Sequence, residues 1–152
     1  MRPNRVSTLK AIGGLATGAL GLSFMALSAE ALDVSVQGLK NNRGDVVVCV
    51  WKRTDSGFPN CAKAAPHKKV TVPATVAAVK IPDLTPGEYA VTMFHDENRQ
   101  GKPKTNFMGM PTSAIGLANN PNVGPMNRPT FDKARVIIPD TSVVAIKAKY
   151  IF

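Results

Sequence analysis

The chain has 152 residues, a formal net charge of +9, 44% hydrophobic residues, two cysteines, 12 glycines and 12 prolines. The length fits a single domain, and a charged fraction of 19% excludes both a disordered tail and a polytopic membrane protein. Two cysteines are too few for a disulfide-dense miniprotein or for a zinc site with four thiolate ligands.

The first 31 residues have the pattern of a secretory signal peptide. Three basic residues precede an apolar stretch over residues 12–27, and Ala29-Glu30-Ala31 ends it with the small residues of a cleavage site. An uncleaved anchor is the alternative, because the charge-free stretch is long enough to span a bilayer. We predict cleavage after Ala31 and a periplasmic or secreted domain of residues 32–152, which does not span the membrane and carries 16 basic and 9 acidic side chains.

The rest of the chain has the pattern of about seven short strands. Leu32–Val36 alternates apolar and polar residues, and Asp45–Trp51 is almost continuously apolar. Further strands are predicted at Lys69–Val72, Thr75–Ile81, Glu88–His95, Ala134–Ile138 and Ser142–Ile151. Pro73 cannot donate to a sheet and suggests an edge or a bulge. Because no segment has a sustained apolar stripe of helical period, the sequence predicts an all-β, antiparallel Greek-key β-sandwich.

A turn before the fifth predicted strand supports the sandwich. Thr85-Pro86-Gly87 is followed after one residue by Tyr89, which is similar to the tyrosine corner of Greek-key sandwiches. A plain Pro-Gly turn followed by a core tyrosine is the alternative, and it indicates the same fold.

The two cysteines are Cys49, in the second predicted strand, and Cys61, which follows a short loop. An exported chain with an even number of cysteines usually oxidises them, and two cysteines allow one pairing. We predict a structural disulfide. A reduced buried pair is an alternative, as is a redox-active pair, although the sequence has no C-x-x-C motif.

Residues 97–130 form a predicted loop of 34 residues, which is unusually long for a compact domain. Loops of this length are usually either functional or disordered. This one carries enough apolar residues, among them Phe107, Met108, Ile115 and Leu117, to pack as an ordered excursion. We therefore predict one long ordered loop and place the contact surface at residues 95–131.

A weak calcium pattern lies at the start of this loop. Asp96, Asn98 and Gln100 occupy the alternate positions of a calcium loop, and Gly101 occupies its sixth position. Lys104 stands at the ninth position, and no glutamate stands at the twelfth. The favoured alternative is that Asp96 and Asn98 cap a turn while Gly101 supplies a positive φ. Calcium stays a possible cofactor, and no other cofactor is predicted.

His95 lies beside Asp96 and could act as a general base only with a nucleophile within reach. The sequence has no nucleophile-elbow, zinc-protease or phosphate-loop motif. We therefore predict that His95 is a structural residue that anchors the loop and that the protein is not an enzyme.

The motifs of this region resemble those of DUF2141, an uncharacterised bacterial family. They are His95-Asp96-Glu97-Asn98 with Gly101, then Asn106–Pro111, Gly116–Asn120, and Pro129–Ala134 before a last hairpin. The resemblance extends over the predicted mature chain and implies an exported β-sandwich of immunoglobulin or transthyretin type. The candidate binding residues of the loop are His95, Asp96, Asn98, Gly101, Asn106, Asn119 and Asn120.

The basic residues are scattered, with no run of five and no interleaved aromatics, so nucleic-acid binding is not predicted. The residues from Arg99 to Lys104, with Arg128, could form a face for an anionic ligand, although a solvated surface is the simpler interpretation. We expect a non-catalytic binding or accessory domain for an unknown envelope component, such as an anionic glycan or a lipid headgroup. A small periplasmic hydrolase or isomerase using His95 and Asp96, and a purely structural envelope protein, are the alternatives.

Overall fold

The computed structural model describes residues 26, 28–76 and 78–151, so most of the predicted signal peptide lies outside the described residues. The regular secondary structure of the described part is almost entirely β-strand, as the sequence predicts. The strands are β1 (Glu30–Gln37), β2 (Asp45–Trp51), β3 (Lys68–Pro73), β4 (Ala78–Leu84), β5 (Gly87–Asp96), β6 (Ile115–Leu117), β7 (Arg135–Ile138) and β8 (Val143–Lys147). In this part no helix is long and apolar enough to cross a membrane.

The strands form two sheets, which confirms the predicted β-sandwich. The smaller sheet has the order β4-β1-β8. In the larger sheet β3, β2 and β5 are neighbours, and β6 and β7 share the far edge of β5, at Thr92–Phe94 and Gly87–Ala90. Among the described strands, all pairs are antiparallel except β1 with β8, which run parallel. The order also places Pro73 at the end of an edge strand, β3.

The inner core lies between the two sheets. The larger sheet contributes alternate residues of its central strands, such as Val48 and Met93, and the smaller sheet contributes Leu32, Val34 and Ile81. All five side chains are almost completely buried. Burial of one aliphatic side chain of this size stabilises a fold by about 1.5–3 kcal/mol. The alternate residues of these strands that point between the sheets therefore form the inner core.

A second apolar cluster, the outer layer, covers the opposite face of the larger sheet. Its buried members are Val47, Cys49, Trp51, Cys61, Ala90, Phe94, Leu117, Val123 and Ala134. The indole Nε1 of Trp51 donates to Thr92 Oγ1 at 2.9 Å, and the ring meets Phe58 edge to face with centroids 5.5 Å apart. Because both faces of β2 are buried, this strand is apolar at nearly every position.

The predicted disulfide is confirmed. Cys49 and Cys61 are bonded, with their Cα atoms 6.1 Å apart and a sequence separation of 12. The bond ties the loop after β2 to the outer face of the sheet. In the chain-entropy model a loop of this size gives about 3 kcal/mol of stabilisation.

The predicted tyrosine corner is also present. The buried Tyr89 donates its hydroxyl hydrogen to the carbonyl of Thr85 at 2.9 Å, and the two hydroxyl oxygens lie 3.1 Å apart. The phenol therefore fixes the turn from which β5 begins.

Two details of the predicted chain path are wrong. The segment predicted as a strand from Thr75 begins with a turn, and β4 starts only at Ala78. The last two strands do not form a hairpin, because β7 pairs with β5 whereas β8 pairs with β1. The turn at Pro139-Asp140 instead carries the chain from one sheet to the other. Ile138 and Ile146 consequently enter the inner core from opposite sides.

The long predicted loop is interrupted by a strand that the sequence pattern does not show. β6 has three residues and pairs with Thr92–Phe94 of β5. Three residues are too few to display the alternation that identifies a strand. β6 holds the middle of the loop region against the larger sheet.

The predicted cleavage point after Ala31 lies inside β1, which begins at Glu30. The pairing of β1 with β4 shifts register between Glu30 and Leu32, and it is regular from Leu32 to Ser35. Cleavage after Ala31 would therefore leave the regular part of the β1–β4 pairing, from Leu32 onward, within the mature chain.

Candidate functional site

His95 stands near the end of β5, where it pairs with Val46 of β2. Its side chain is fully buried, its Nε2 lies 2.6 Å from the carbonyl oxygen of Arg43, and its backbone amide donates to Ala114 at 2.9 Å. A carbonyl can only accept, so Nε2 carries the hydrogen in this contact. His95 thus joins the turn after β1 to the segment before β6.

The opposite ring nitrogen of His95 faces a carboxylate. Its Nδ1 is buried without a hydrogen-bond partner among the described residues, and it lies 4.0 Å from Glu97 Oε1. The Nδ1 atom is therefore the ring nitrogen of His95 that lies nearest to the Glu97 carboxylate.

Gly44 allows the turn after β1 to pack directly against the end of β5. Its φ is +72°, and a Cβ at this position would lie 2.1 Å from the carbonyl oxygen of Asp96 and 2.6 Å from the Cα of Glu97. Both of these atoms are backbone, so they cannot move aside as a flexible side chain can. A side chain at residue 44 would separate the turn from the strand.

Asp96 caps the turn that follows β5. Its Oδ1 accepts from the amide of Gln100 at 3.0 Å, and its Oδ2 accepts from the amide of Gly101 at 2.6 Å. Arg99 and Gly101 both have positive φ in this turn. The contacts of Asp96 are those of the turn-capping interpretation, because both of its carboxylate oxygens accept from backbone amides, whereas the Asn98 side chain makes no capping hydrogen bond among the described residues. In the described residues no group of three or more His, Cys, Asp or Glu could hold a metal. The calcium hypothesis stays a prediction.

Glu97 is a hub that the sequence interpretation missed. Its carboxylate lies 3.2 Å from Lys104 Nζ and 3.4 Å from Arg43 Nη2, and 13% of its side chain is exposed. The hydrogen bond from Lys104 lowers the pKa of this carboxyl below its ordinary value, against the opposing effect of burial. The sequence contained one signal for this role. No acidic residue occurs between Glu97 and Asp132, so Glu97 is the nearest carboxylate in sequence for the first basic residues that follow it.

Asn106 closes a tight hairpin in the loop region. Its Oδ1 accepts from the amides of Met108 and Met110, each at 3.0 Å, and Thr105 forms a bridge with Pro111. We call residues 105–111 the first hairpin. The side chain predicted as a candidate binding group is therefore engaged in shaping the backbone.

Asn119 and Asn120 follow β6 with positive φ values of 64° and 48°. The side-chain Nδ2 of Asn119 donates to the carbonyl of Arg135 at 2.8 Å. Asn120 donates to the carbonyl of Ala145 at 2.9 Å and accepts from the amide of Lys147 at 2.7 Å. The Asn120 side chain therefore pairs with β8 as a backbone unit would, and it ties the loop region to the smaller sheet.

A cleft of about 1060 Å³ opens on the outer face of the larger sheet. One wall is residues 59–63, which include Cys61 of the disulfide, and the other comes mainly from residues 98–112. Its floor consists of Thr92, Phe94, Ile115 and Leu117 on β5 and β6. The sequence could not indicate this cleft, because its two walls are distant along the chain.

The candidate residues divide into two groups around this cleft. Asn98, Gln100 and Gly101 line it. His95, Asp96, Asn106, Asn119 and Asn120 are not among its lining residues; they make the turn and strand contacts described above.

The walls of the cleft are basic. Lys102 and Lys104 lie on one wall and Lys63 lies on the other. Residues 98–131 contain four basic side chains and no acidic one. Lys104 is paired with Glu97, whereas Lys63 and Lys102 have no carboxylate partner among the described residues. The surroundings of the cleft therefore favour a negatively charged group.

One family model matches residues 34–147, and its description reads "Uncharacterized protein conserved in bacteria (DUF2141)". No curated protein and no solved structure matches the chain.

Proposed function

The chain belongs to the DUF2141 family of uncharacterised bacterial proteins, and we propose that it is an exported, non-catalytic binding domain with its contact surface at residues 95–131. The observation that carries the proposal is the cleft between residues 59–63 and 98–112. Its volume is comparable to that of small-molecule sites, which usually combine an apolar lining with a few polar groups.

The lining of the cleft suggests the chemistry of its ligand. Phe94, Ile115 and Leu117 offer an apolar floor, and Lys63 and Lys102 offer positive charge from opposite walls. An anionic group attached to an apolar part would satisfy both features. We therefore propose an anionic amphiphile as the ligand class.

The positions of His95 and Asp96 favour binding over catalysis. A general base must reach the proton that it abstracts. The imidazole of His95 is fully buried against the carbonyl of Arg43, and both oxygens of Asp96 accept from backbone amides. These contacts support a scaffolding role, in which the two side chains hold the loop that forms a wall of the cleft.

The disulfide supports the exported location. Bonds of this kind persist in oxidising compartments and are rare in the bacterial cytoplasm. The signal-like pattern of residues 1–31 indicates the same location. Mass spectrometry of the protein recovered from periplasmic and culture fractions would identify its first residue and test cleavage after Ala31.

Displacement of a fluorescent dye tests the ligand class. Anilinonaphthalenesulfonate combines an apolar ring system with a sulfonate, and we expect it to bind in the cleft. Laurate should displace the dye at lower concentration than dodecyltrimethylammonium, which has a chain of the same length and the opposite charge. Equal displacement by the two amphiphiles would contradict the proposed charge preference, and no dye binding would favour a purely structural protein.

Matched lysine variants locate the binding. The pair Lys63→Gln and Lys102→Gln should weaken displacement by laurate about fivefold, because each exposed charge contributes roughly 0.2–1 kcal/mol. Lys147→Gln makes the same chemical change on β8, outside the cleft, and should leave displacement unchanged. If Lys147→Gln weakened laurate displacement as much as the Lys63 and Lys102 variants do, the ligand would not bind in the cleft.

A further inference from the structure

Two hairpins in the loop region hold apolar side chains in solvent. Phe107 and Met108 are 97% and 61% exposed at the tip of the first hairpin. Met126 is 99% exposed in a second hairpin, residues 124–127, where Gly124 and Asn127 exchange backbone hydrogen bonds of 3.1 Å. The proposed amphiphile cleft does not use these side chains.

The first hairpin is a defined structure. The two hydrogen bonds to Asn106 Oδ1 fix its tip, and the amide of Gly109 donates to the carbonyl of Asn106 at 2.9 Å. At its base the amide of Thr112 donates to the carbonyl of Lys104 at 2.8 Å. These bonds hold the backbone of the tip in a shape that points Phe107 away from the apolar clusters.

Basic groups stand at the base of both hairpins. Lys102 and Lys104 precede the first, and Arg128 follows the second. Lys133 is attached to the second hairpin, because its Nζ donates to the carbonyl of Arg128 at 2.9 Å and to the side chain of Asn127. No acidic residue lies in the segment that contains both tips.

The two hairpins leave the same region of the molecule. Gly109 belongs to the first hairpin, Pro129 follows the second, and both line the cleft on the outer face of the larger sheet. The bases of the two hairpins consequently border one cleft, on the side of the domain where the outer face of the larger sheet lies.

We propose that this side docks on an anionic lipid bilayer. Phe107, Met108 and Met126 would enter the interfacial region, while Lys102 and Arg128 would contact phosphate headgroups. Isolated apolar side chains with basic residues behind them fit a bilayer surface, which accepts each tip separately. A stable protein partner generally requires a continuous, complementary area of about 1,000 Å² or more. The inference rests on the exported location proposed above and does not depend on the amphiphile cleft.

Vesicle co-sedimentation tests this docking with the protein in the form that the cell exports. Phosphatidylcholine vesicles with and without phosphatidylglycerol are compared at low and high salt. We expect binding to the phosphatidylglycerol vesicles that weakens with salt, since exposed charges are screened. Failure to sediment with these vesicles at low salt would overturn the proposal, as would equal binding to both vesicle types.

The tip variants make the test specific. Phe107→Ser with Met108→Ser should lower the partition coefficient on the order of tenfold, because two inserted apolar groups are lost. Val143→Ser removes an apolar side chain that is 64% exposed on β8 and should change nothing. Phe107→Trp keeps an aromatic side chain at the tip, so it should retain vesicle binding. The fluorescence emission of the introduced tryptophan should shift to the blue when vesicles are added. A tip variant that partitions like the wild type would overturn the proposal.

The two proposals fail separately. Loss of vesicle binding with retained displacement of the dye by laurate rejects membrane docking alone. Retained vesicle binding with no displacement of the dye by laurate rejects the cleft ligand alone. The tip variant should also retain laurate displacement, because Phe107 and Met108 are not among the lining residues of the cleft.

Discussion

The two faces of the larger sheet are covered in different ways, although the same central strands supply both. The inner face packs against three regular strands, whereas the outer face is covered mainly by loops and one disulfide. A cleft of about 1060 Å³ opens on the outer face, and the inner face is filled by side chains from both sheets. The inner face thus contributes mainly to stability, while the outer face contributes part of the stability and also carries the cleft that we propose as the binding site.

The largest effect is expected from a cavity in the inner core. Ile81→Ala should lower the free energy of unfolding by about 4 kcal/mol, because the side chain is fully buried and a core relaxes only partly around a new cavity. Displacement of the dye by laurate should be unchanged at temperatures where the variant is folded. Thermal and denaturant unfolding measure the loss.

Ile137→Ala is the control for this variant, because Ile137 is 39% exposed on β7. We expect it to change the free energy of unfolding by less than about 1 kcal/mol. Similar losses in the two variants would contradict the division between the faces.

Removal of the disulfide should affect the outer face in two ways. Cys49→Ala with Cys61→Ala should lower the free energy of unfolding by about 3 kcal/mol. It should also weaken displacement by laurate, because Cys61 lines the cleft. Reduced wild-type protein should behave in the same way. Retained laurate affinity in both samples would show that the bond is needed for stability alone.

A smaller effect is expected where the outer layer meets the sheet. Thr92→Val removes the acceptor of the Trp51 indole hydrogen, and an unsatisfied buried donor costs about 2 kcal/mol. Thr92→Ser keeps the hydroxyl and should cost less. Denaturant unfolding can be followed by the fluorescence of the single tryptophan. A larger loss in the serine variant would mean that packing of the methyl group outweighs the hydrogen bond.

The smallest effect is a dependence on pH at the edge of the cleft. Lys104 lowers the pKa of the Glu97 carboxyl, so this group contributes stability above the ordinary glutamate pKa of about 4.3. That contribution is lost as the pH falls through the lower pKa of the folded state. Glu97→Gln should therefore show a smaller decrease in melting temperature than the wild type between neutral and acidic pH. Parallel curves for the two proteins would contradict this assignment.

The sequence predicts most of the fold because its apolar pattern records burial. Asp45–Trp51 is predicted with the observed bounds, and the disulfide and the tyrosine corner are predicted correctly. The pattern does not record partners, so neither the parallel contact of β1 with β8 nor the crossing from β7 to β8 could be predicted. β6 is defined by its pairing with β5, since its own sequence is too short to indicate a strand.

The candidate site is predictable only where its contacts are local. The turn at Asp96 and Gly101 follows from residues within a few positions of each other, and its capping alternative was visible in the sequence. The contact of His95 with Arg43 and the hub at Glu97 join residues more than 50 positions apart. The cleft likewise depends on the approach of two distant loops. Such approaches are set by tertiary packing, which a single sequence does not reveal.

The parallel pairing of β1 with β8 joins nearly the first and the last described residues of the domain. Asp33–Gln37 lies beside Val143–Lys147, so the smaller sheet is incomplete until the final strand is available. Contacts of such high sequence separation form late and slow the folding of a domain. If the domain is exported, as proposed above, and crosses the membrane unfolded, the three-stranded sheet can be completed only after β8 has also crossed the membrane.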